Sequence, residues 1–127
     1  MQRNVVGWFE IPVTDMDRAI SFYETVFEIT MERHQMGPLD MGWFPLIDGK
    51  MGAPGSLVHY PEHYKPSHEG PLLYFSAHSG DLSNEMGRVE NAGGKILSPK
   101  KQISDENGYM ALIEDTEGNR IALHSRQ

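Results

Sequence analysis

Six histidines, 18 acidic residues and no cysteine set the chemistry open to this 127-residue chain. Without cysteine, disulfides, thiolate catalysis and cysteine–zinc sites are excluded. The remaining polar groups sort by alternation, because successive side chains of a strand point to opposite faces. Residues 5–11 carry an apolar file of Val5, Phe9 and Ile11 and a mixed file of Trp8 and Glu10. Residues 72–77 set Leu73, Phe75 and Ala77 against Leu72, Tyr74 and Ser76. Near the end of the chain, Ile121 and Leu123 oppose Ala122 and His124. A carboxylate, a phenol and an imidazole thus lie beside aromatic and apolar walls, a set able to move a proton or anchor a polar ligand group. In residues 56–60 alternation leaves two readings: either Leu57 and His59 or Val58 and Tyr60 join that face.

Other candidates are weaker. His63 and His68 lie with Glu62 and Tyr64 in a proline-broken stretch, without the spacing of a helical ligand pair. They read as solvated loop histidines, and His34 and His78 as exposed. Glu114 and Asp115 open a turn, where neighbouring side chains diverge. Trp43 and Phe44 could cap a pocket or pack in the core. Lys95, Lys100 and Lys101 read as a solvated edge, and the eight methionines as core filling or a subunit seam.

The elements that must position these groups follow from periodicity and punctuation. Residues 5–11 form a β-branched, alternating run that breaks at Pro12. Asp15 can then cap the free N–H groups of a helix, and Asp17 suits its positive first turn. Met16, Ala19, Ile20, Tyr23, Val26 and Phe27 fall on one helical face, and the helix is expected to end near Glu28. Residues 29–34 read as a second strand with Gly37, Pro38 and Gly42 breaking the stretch after it, 43–47 as a third closed by Asp48-Gly49, and 56–60 as a fourth. Residues 61–71 are a polar connector. A second version follows: strand 72–77, a cap at Asp81, a helix with Leu82, Met86, Val89 and Ala92 inward, and a stop at Gly93-Gly94. Strand 95–98, a loop at 99–107 and a hairpin of 109–114 with 119–124 complete it. The order is βαβββ twice, offset by roughly 64–65 residues.

Composition bounds the functions. The length is one domain's worth, organised as a module of about 1–61, the connector, and a module of about 72–127. A net charge of −7 argues against a nucleic-acid or anionic-membrane surface. No apolar run is long enough to span a bilayer as a helix. Residues 1–4 lead directly into a strand and do not read as a signal peptide, so a cytoplasmic location is expected.

Residues 6–27 (VGWFEIPVTDMDRAISFYETVF) and 111–124 (ALIEDTEGNRIALH) resemble the vicinal oxygen chelate superfamily. This group includes glyoxalase I, bleomycin-resistance proteins, fosfomycin-resistance enzymes and extradiol ring-cleaving dioxygenases. The resemblance covers nearly the whole chain. It implies an α+β fold in which two βαβββ modules form a curved mixed sheet with helices on the convex face. It also implies a ligand on the concave face and a homodimer whose two chains wall the pocket.

In that superfamily a divalent metal is commonly held by His or Glu on the first, fourth, fifth and last strands. Here the first, fifth and last of those positions fall on Trp8, Leu72 and Ala122, which offer no ligand atom to such a cation. No cofactor is therefore expected, and a metal could bind only at a shifted site. Glu10, Tyr74 and His124 each lie two residues beyond a lost position, hence on the same strand face, and His59 is a possible fourth. With Trp8, Leu72 and Ala122 they make the expected ligand-binding set. Desolvation between Trp8 and Leu72 would raise the Glu10 pKa unless a protonated His124 offset it. Glu10 is the candidate proton acceptor or substrate anchor, and His124 its partner. The leading expectation is a metal-independent protein that binds a small, partly apolar molecule in a concave cavity. The alternatives are a lyase or isomerase acting on a small carbonyl or oxygenated metabolite through Glu10 and His124, and a regulatory module that contacts another protein.

Overall fold

A computed structural model describes residues 3–127. The predicted lead-in from residues 1–4 therefore falls partly on Met1 and Gln2, which lie outside the described residues. The first module comprises β1 (Phe9–Pro12), α1 (Met16–Phe27), β2 (Glu32–Met36), β3 (Leu39–Trp43) and β4 (Gly55–His59). The second comprises β5 (Leu73–Ser76), α2 (Leu82–Val89), β6 (Lys95–Ser104), β7 (Gly108–Glu114) and β8 (Arg120–Ser125). The βαβββ order therefore occurs twice. Each module forms its own four-stranded mixed sheet, ordered β1-β4-β3-β2 and β5-β8-β7-β6. The first strand of each pairs in parallel with the last, and the other pairings are antiparallel. No helix of the described residues is long and apolar enough to cross a membrane.

Both helices start where an aspartate caps them. Asp15 accepts from the Arg18 N–H at 3.1 Å and Asp81 from the Ser83 N–H at 2.9 Å. α1 ends at Glu28, a left-handed residue at φ 55°. α2 ends at Val89, one turn before the expected Ala92, and the N–H of Gly94 closes back on the Val89 carbonyl at 2.9 Å. Gly93 takes the left-handed conformation, φ 100°, that such a stop requires.

The helix-facing files are those expected from alternation. Ile11, Ala77, Ile121 and Leu123 join Phe22, Tyr23, Val26 and Val89 in one core, with Phe9, Leu73 and Phe75 packed against it. Val5 does not: β1 starts only at Phe9, and Val5 is fully exposed. Three strand bounds also differ. The second strand is Glu32–Met36, because Ile29 and Met31 turn into the core and the Met31 N–H donates to Glu24 at 2.9 Å. The third is Leu39–Trp43, since Gly37-Pro38 is a tight hairpin turn between β2 and β3 and not a longer break. Gly42 belongs inside that strand, where a Cβ would sit 3.1 Å from Ile20 on α1. The expected loop at 99–107 is instead largely strand. β6 runs to Ser104 with three register shifts, and an edge strand with bulges accommodates Pro99.

The turn between β7 and β8 joins the modules. Buried Asp115 accepts from the Tyr23 hydroxyl at 2.7 Å, tying the turn to α1. Glu117 accepts from the Thr14 and Asp15 N–H groups at 2.9 Å and from Arg18 Nε at 2.8 Å. Asn119 donates to the Pro12 carbonyl at 2.8 Å. The Asp-x-x-Gly-Asn segment is thus a clamp on the end of β1 and the start of α1.

Candidate functional site

Register places Glu10 level with Ser56 and Trp43, and Pro12 level with Val58 and Met41. On the second sheet Tyr74, Ala122 and Leu112 are level, as are Ser76, His124 and Met110. These side chains occupy the faces turned away from the helices. The ambiguity in β4 is thereby resolved: Ser56 and Val58 share the face of Glu10, whereas Leu57 and His59 face the helices. The structure therefore does not bring His59 to Glu10. Its Nδ1 donates to the Val13 carbonyl at 3.1 Å, and it sits level with Asp40.

The connector crosses this helix-free face. Tyr64 donates to Glu10 Oε1 at 2.7 Å, the Ser67 N–H to Asn119 at 3.2 Å, and His68 pairs with Glu114 at 2.5 Å. His68 is thus exposed, as a loop histidine is expected to be, and in addition hydrogen-bonded to Glu114. Trp8 donates to Glu10 Oε2 at 3.3 Å and meets Trp43 edge-on at 5.6 Å, while His34 stacks on Trp43 at 4.1 Å. The hydrogen bond to Glu10, with burial, raises the Tyr64 phenol above its ordinary pKa. His124 Nε2 instead donates to the Asn107 carbonyl at 2.6 Å, and the exposed Tyr74 hydroxyl lies 3.8 Å from the Met110 sulfur. Glu10 and His124 thus sit on different sheets, each with its own partners. Ala122 is fully buried and Leu72 half-buried. Buried side-chain atoms without a hydrogen-bond partner, among the described residues, are Trp43 Nε1, Ser56 Oγ and Arg120 Nε. By register all three belong to this same face.

A second region was not anticipated as a site. A cleft of about 660 Å³ opens between β1, the end of α1, the 44–54 loop and β5. Phe9, Phe27, Phe44 and Phe75 form its wall, with ring centroids of successive pairs 5.0–5.9 Å apart. Of the expected ligand-binding residues, Tyr74 lines it; Trp8, Glu10, His59, Leu72, Ala122 and His124 do not. Phe9, Phe27 and Phe75 carry the alternation and periodicity of packing residues, and Phe44 reads either as a pocket cap or as core. An adjoining arm of about 380 Å³ shares Phe27, Ile29, Pro45, Ile47 and His78, and ends at Ser79 and the buried Glu85.

The residues at the superfamily's metal positions do not fit a cation, since Trp8, Leu72 and Ala122 present an indole and two hydrocarbon side chains. No cluster of three or more His, Cys, Asp or Glu able to hold a metal occurs among the described residues.

Paired βαβββ modules, each with a capped helix on one face of its sheet, define a class of fold. The chain matches the sequence pattern of the Glyoxalase/Bleomycin resistance protein/Dioxygenase superfamily over residues 5–123, and it belongs to that family. Its fold is similar to a glyoxylase/bleomycin resistance protein/dioxygenase domain from Frankia sp. EAN1pec, with a TM-score of 0.74 at 16% identity over 99% of this chain and 100% of that one. TnmS3, an antibiotic-binding protein from Streptomyces sp. CB03234, aligns with a TM-score of 0.65 at 22% identity over 100% and 99% of the two chains. Glyoxalase I from Zea mays aligns with a TM-score of 0.68 at 16% identity over 94% of this chain. The chain spans 45% of the length of that maize enzyme. No curated protein sequence matches the chain.

Proposed function

We propose that this protein binds a small, largely apolar molecule in the cleft between its modules and needs no metal to do so. The observation that carries the reading is the wall of four phenylalanines around about 660 Å³, a size and lining suited to a small organic ligand. TnmS3, which has a similar fold, is an antibiotic-binding protein, and this supports a binding role here. The test is calorimetric titration with 1-naphthalenemethanol, a neutral bicyclic probe. Saturable binding that weakens at least about tenfold in Phe75→Ala supports the reading, and the absence of binding refutes it. A homodimer is part of the same proposal. β1 and β5 are edge strands, and Val5, Val6, Leu46, Ile47 and Met51 near the cleft are exposed. Sedimentation as a monomer at micromolar concentration would remove that part.

A second reading, a lyase or isomerase using Glu10 on the helix-free face, rests on the unpartnered Ser56 Oγ and Trp43 Nε1 level with that carboxylate. Two buried groups lacking partners leave room for polar atoms of a ligand or for ordered water. Screening carbonyl substrates against Glu10→Gln separates it from the first reading, which predicts unchanged binding of the naphthyl probe.

A further inference from the structure

The buried carboxylates of this protein are unequally provided with hydrogen-bond donors. Asp115 accepts four, from Tyr23, Asn119 Nδ2 and the N–H groups of Glu117 and Asn119. Glu117 accepts six, from Thr14 (N–H and hydroxyl), Asp15, Arg18 (Nε and Nη2) and Thr116. Glu85, only 1% exposed, accepts from a single residue: the Ser79 hydroxyl at 2.8 Å and the Ser79 N–H at a long 3.4 Å. Arg88 stands 3.8 Å away, beyond hydrogen-bond reach, with its Nε held by the Val26 carbonyl. A carboxylate group has lone-pair sites for about four hydrogen bonds, so among the described residues Glu85 keeps unused capacity in a place where water is largely excluded.

That capacity lies at the end of the arm that adjoins the phenylalanine cleft. The arm is lined by Glu85, Ser79, His78 and Glu28, with Ile29 and Phe27 leading back to the aromatic wall. Arg88, which does not line it, stands 3.7 Å from Glu28 and 3.8 Å from Glu85, so one cation is shared between two carboxylates that do. We infer that the ligand of the cleft is an apolar amine whose ammonium group donates to Glu85 while its body lies against the phenylalanines. The inference rests on the cleft reading above and specifies it. An ammonium fits better than a hydroxyl because its hydrogen bond to a carboxyl group of this kind is charge-assisted, and such bonds are strongest where water is excluded.

The experiment compares 1-naphthylmethylammonium, 1-naphthalenemethanol and 1-naphthoate by calorimetry on the full chain. The amine should bind about tenfold tighter than the alcohol, and the carboxylate weakest, the scale of one hydrogen bond to a charged group. Glu85→Gln should bring the amine down to the alcohol, with alcohol affinity held within about twofold. Equal affinities for amine and alcohol in the unaltered protein, or a preference that survives Glu85→Gln, would overturn the ammonium assignment while leaving the cleft reading standing. If Glu85→Gln loses its near-ultraviolet dichroism, the N,N,N-trimethyl analogue of the amine replaces it as the test, on the unaltered protein. It keeps the charge but has no N–H donor, so it should bind at least about fivefold more weakly than the primary amine. Equal binding of the two amines then overturns the assignment. Failure of all three probes to bind refutes the cleft reading itself.

Discussion

Glu117→Gln tests how the two modules are joined. The wild-type carboxylate is pushed up by burial, yet hydrogen bonds from Arg18, the Asp15 N–H, Thr116 and Thr14 outweigh this and hold its pKa at about 2, against an ordinary 4.5. At about 1.36 kcal/mol per pH unit, that difference corresponds to about 3 kcal/mol of stability. The side chain of Glu117 is itself inaccessible, but Arg18 is half exposed, and solvent screening of that pair reduces the expected loss to about 2 kcal/mol. The amide keeps the acceptor oxygen that serves Thr14 and Asp15, and places an N–H₂ where Oε2 met Arg18 Nε. The substitution therefore removes the charge and sets donor against donor, leaving the rest of the clamp in place.

Urea unfolding of both proteins from pH 7 to pH 3 is the assay. Because the folded pKa lies below the ordinary one, the stabilisation is complete above about pH 4.5 and is lost as the pH falls from there towards 2. Asp115 works in the opposite sense: burial raises its pKa, so its contribution declines as the pH rises through its ordinary 3.8. That contribution is common to both proteins and cancels in their difference. Glu117→Gln should be about 2 kcal/mol less stable at pH 7, a fall of about 7 °C in Tm for a chain of this length, and the gap should narrow below pH 4. A loss under about 0.5 kcal/mol, or a gap that stays constant down to pH 3, would refute the clamp.

Gly94→Ala should cost about 1–3 kcal/mol in chemical denaturation, because its Cβ would lie 2.5 Å from the Glu114 carbonyl oxygen and from the Phe22 ring. Gly70→Ala, with nothing within 4 Å, is its neutral control. Phe75→Ala should lose about 3 kcal/mol of stability besides ligand affinity, since its ring packs on Phe9, Phe27, Tyr23 and Phe44. Absorbance titration should show Tyr64 and Tyr23 ionising above the ordinary tyrosine range. Burial followed by the Asp115 charge drives Tyr23, and the Glu10 hydrogen bond drives Tyr64, so Tyr64→Phe should remove one late-titrating phenol. Titration with zinc, nickel, manganese and iron(II) should show no tight stoichiometric binding; a tight site abolished by Glu10→Ala and His124→Ala would overturn the metal-free reading.

Much of the fold is legible in residues whose roles are local. Asp15 and Asp81 cap helices through their own side chains, and Gly93 stops one through its own φ, so each announces itself without tertiary information. Pro99 misleads for a tertiary reason. Its missing N–H signals a loop, and only the position of β6 at a sheet edge, with its bulges, makes the proline compatible with a strand. Gly42 misleads likewise: it reads as a breaker, whereas its lack of a side chain admits Ile20 of α1. The site was legible in part. Alternation placed Glu10, Tyr74, Ala122 and His124 away from the helices, as the register has them. It could not show that the connector reaches back over that face, because Tyr64 meets Glu10 across a sequence separation of 54 residues.

The cleft escaped for a related reason. Phe9, Phe27 and Phe75 have the signature of core residues, Phe44 reads as pocket cap or core alike, and in sequence a ring that packs and a ring that packs while lining a cavity are the same letter. What separates them is the 44–54 loop, which leaves the sheet after Trp43 and returns at Gly55. Gly55 itself allows no Cβ, since one would fall 2.4 Å from the Phe9 ring. That close approach fixes Phe9 at the edge of β1, facing Phe75 across the gap between two sheets that share no strand pairing. Among the described residues no strand pairing crosses this gap, so the aromatic wall there is held by side-chain contacts, whereas a wall inside either sheet would be held by the ladder as well. The place where the repeat leaves its two modules unpaired is therefore where a binding site costs the fold least, and the clamp at Asp115 and Glu117 holds the modules together at the other end of β1.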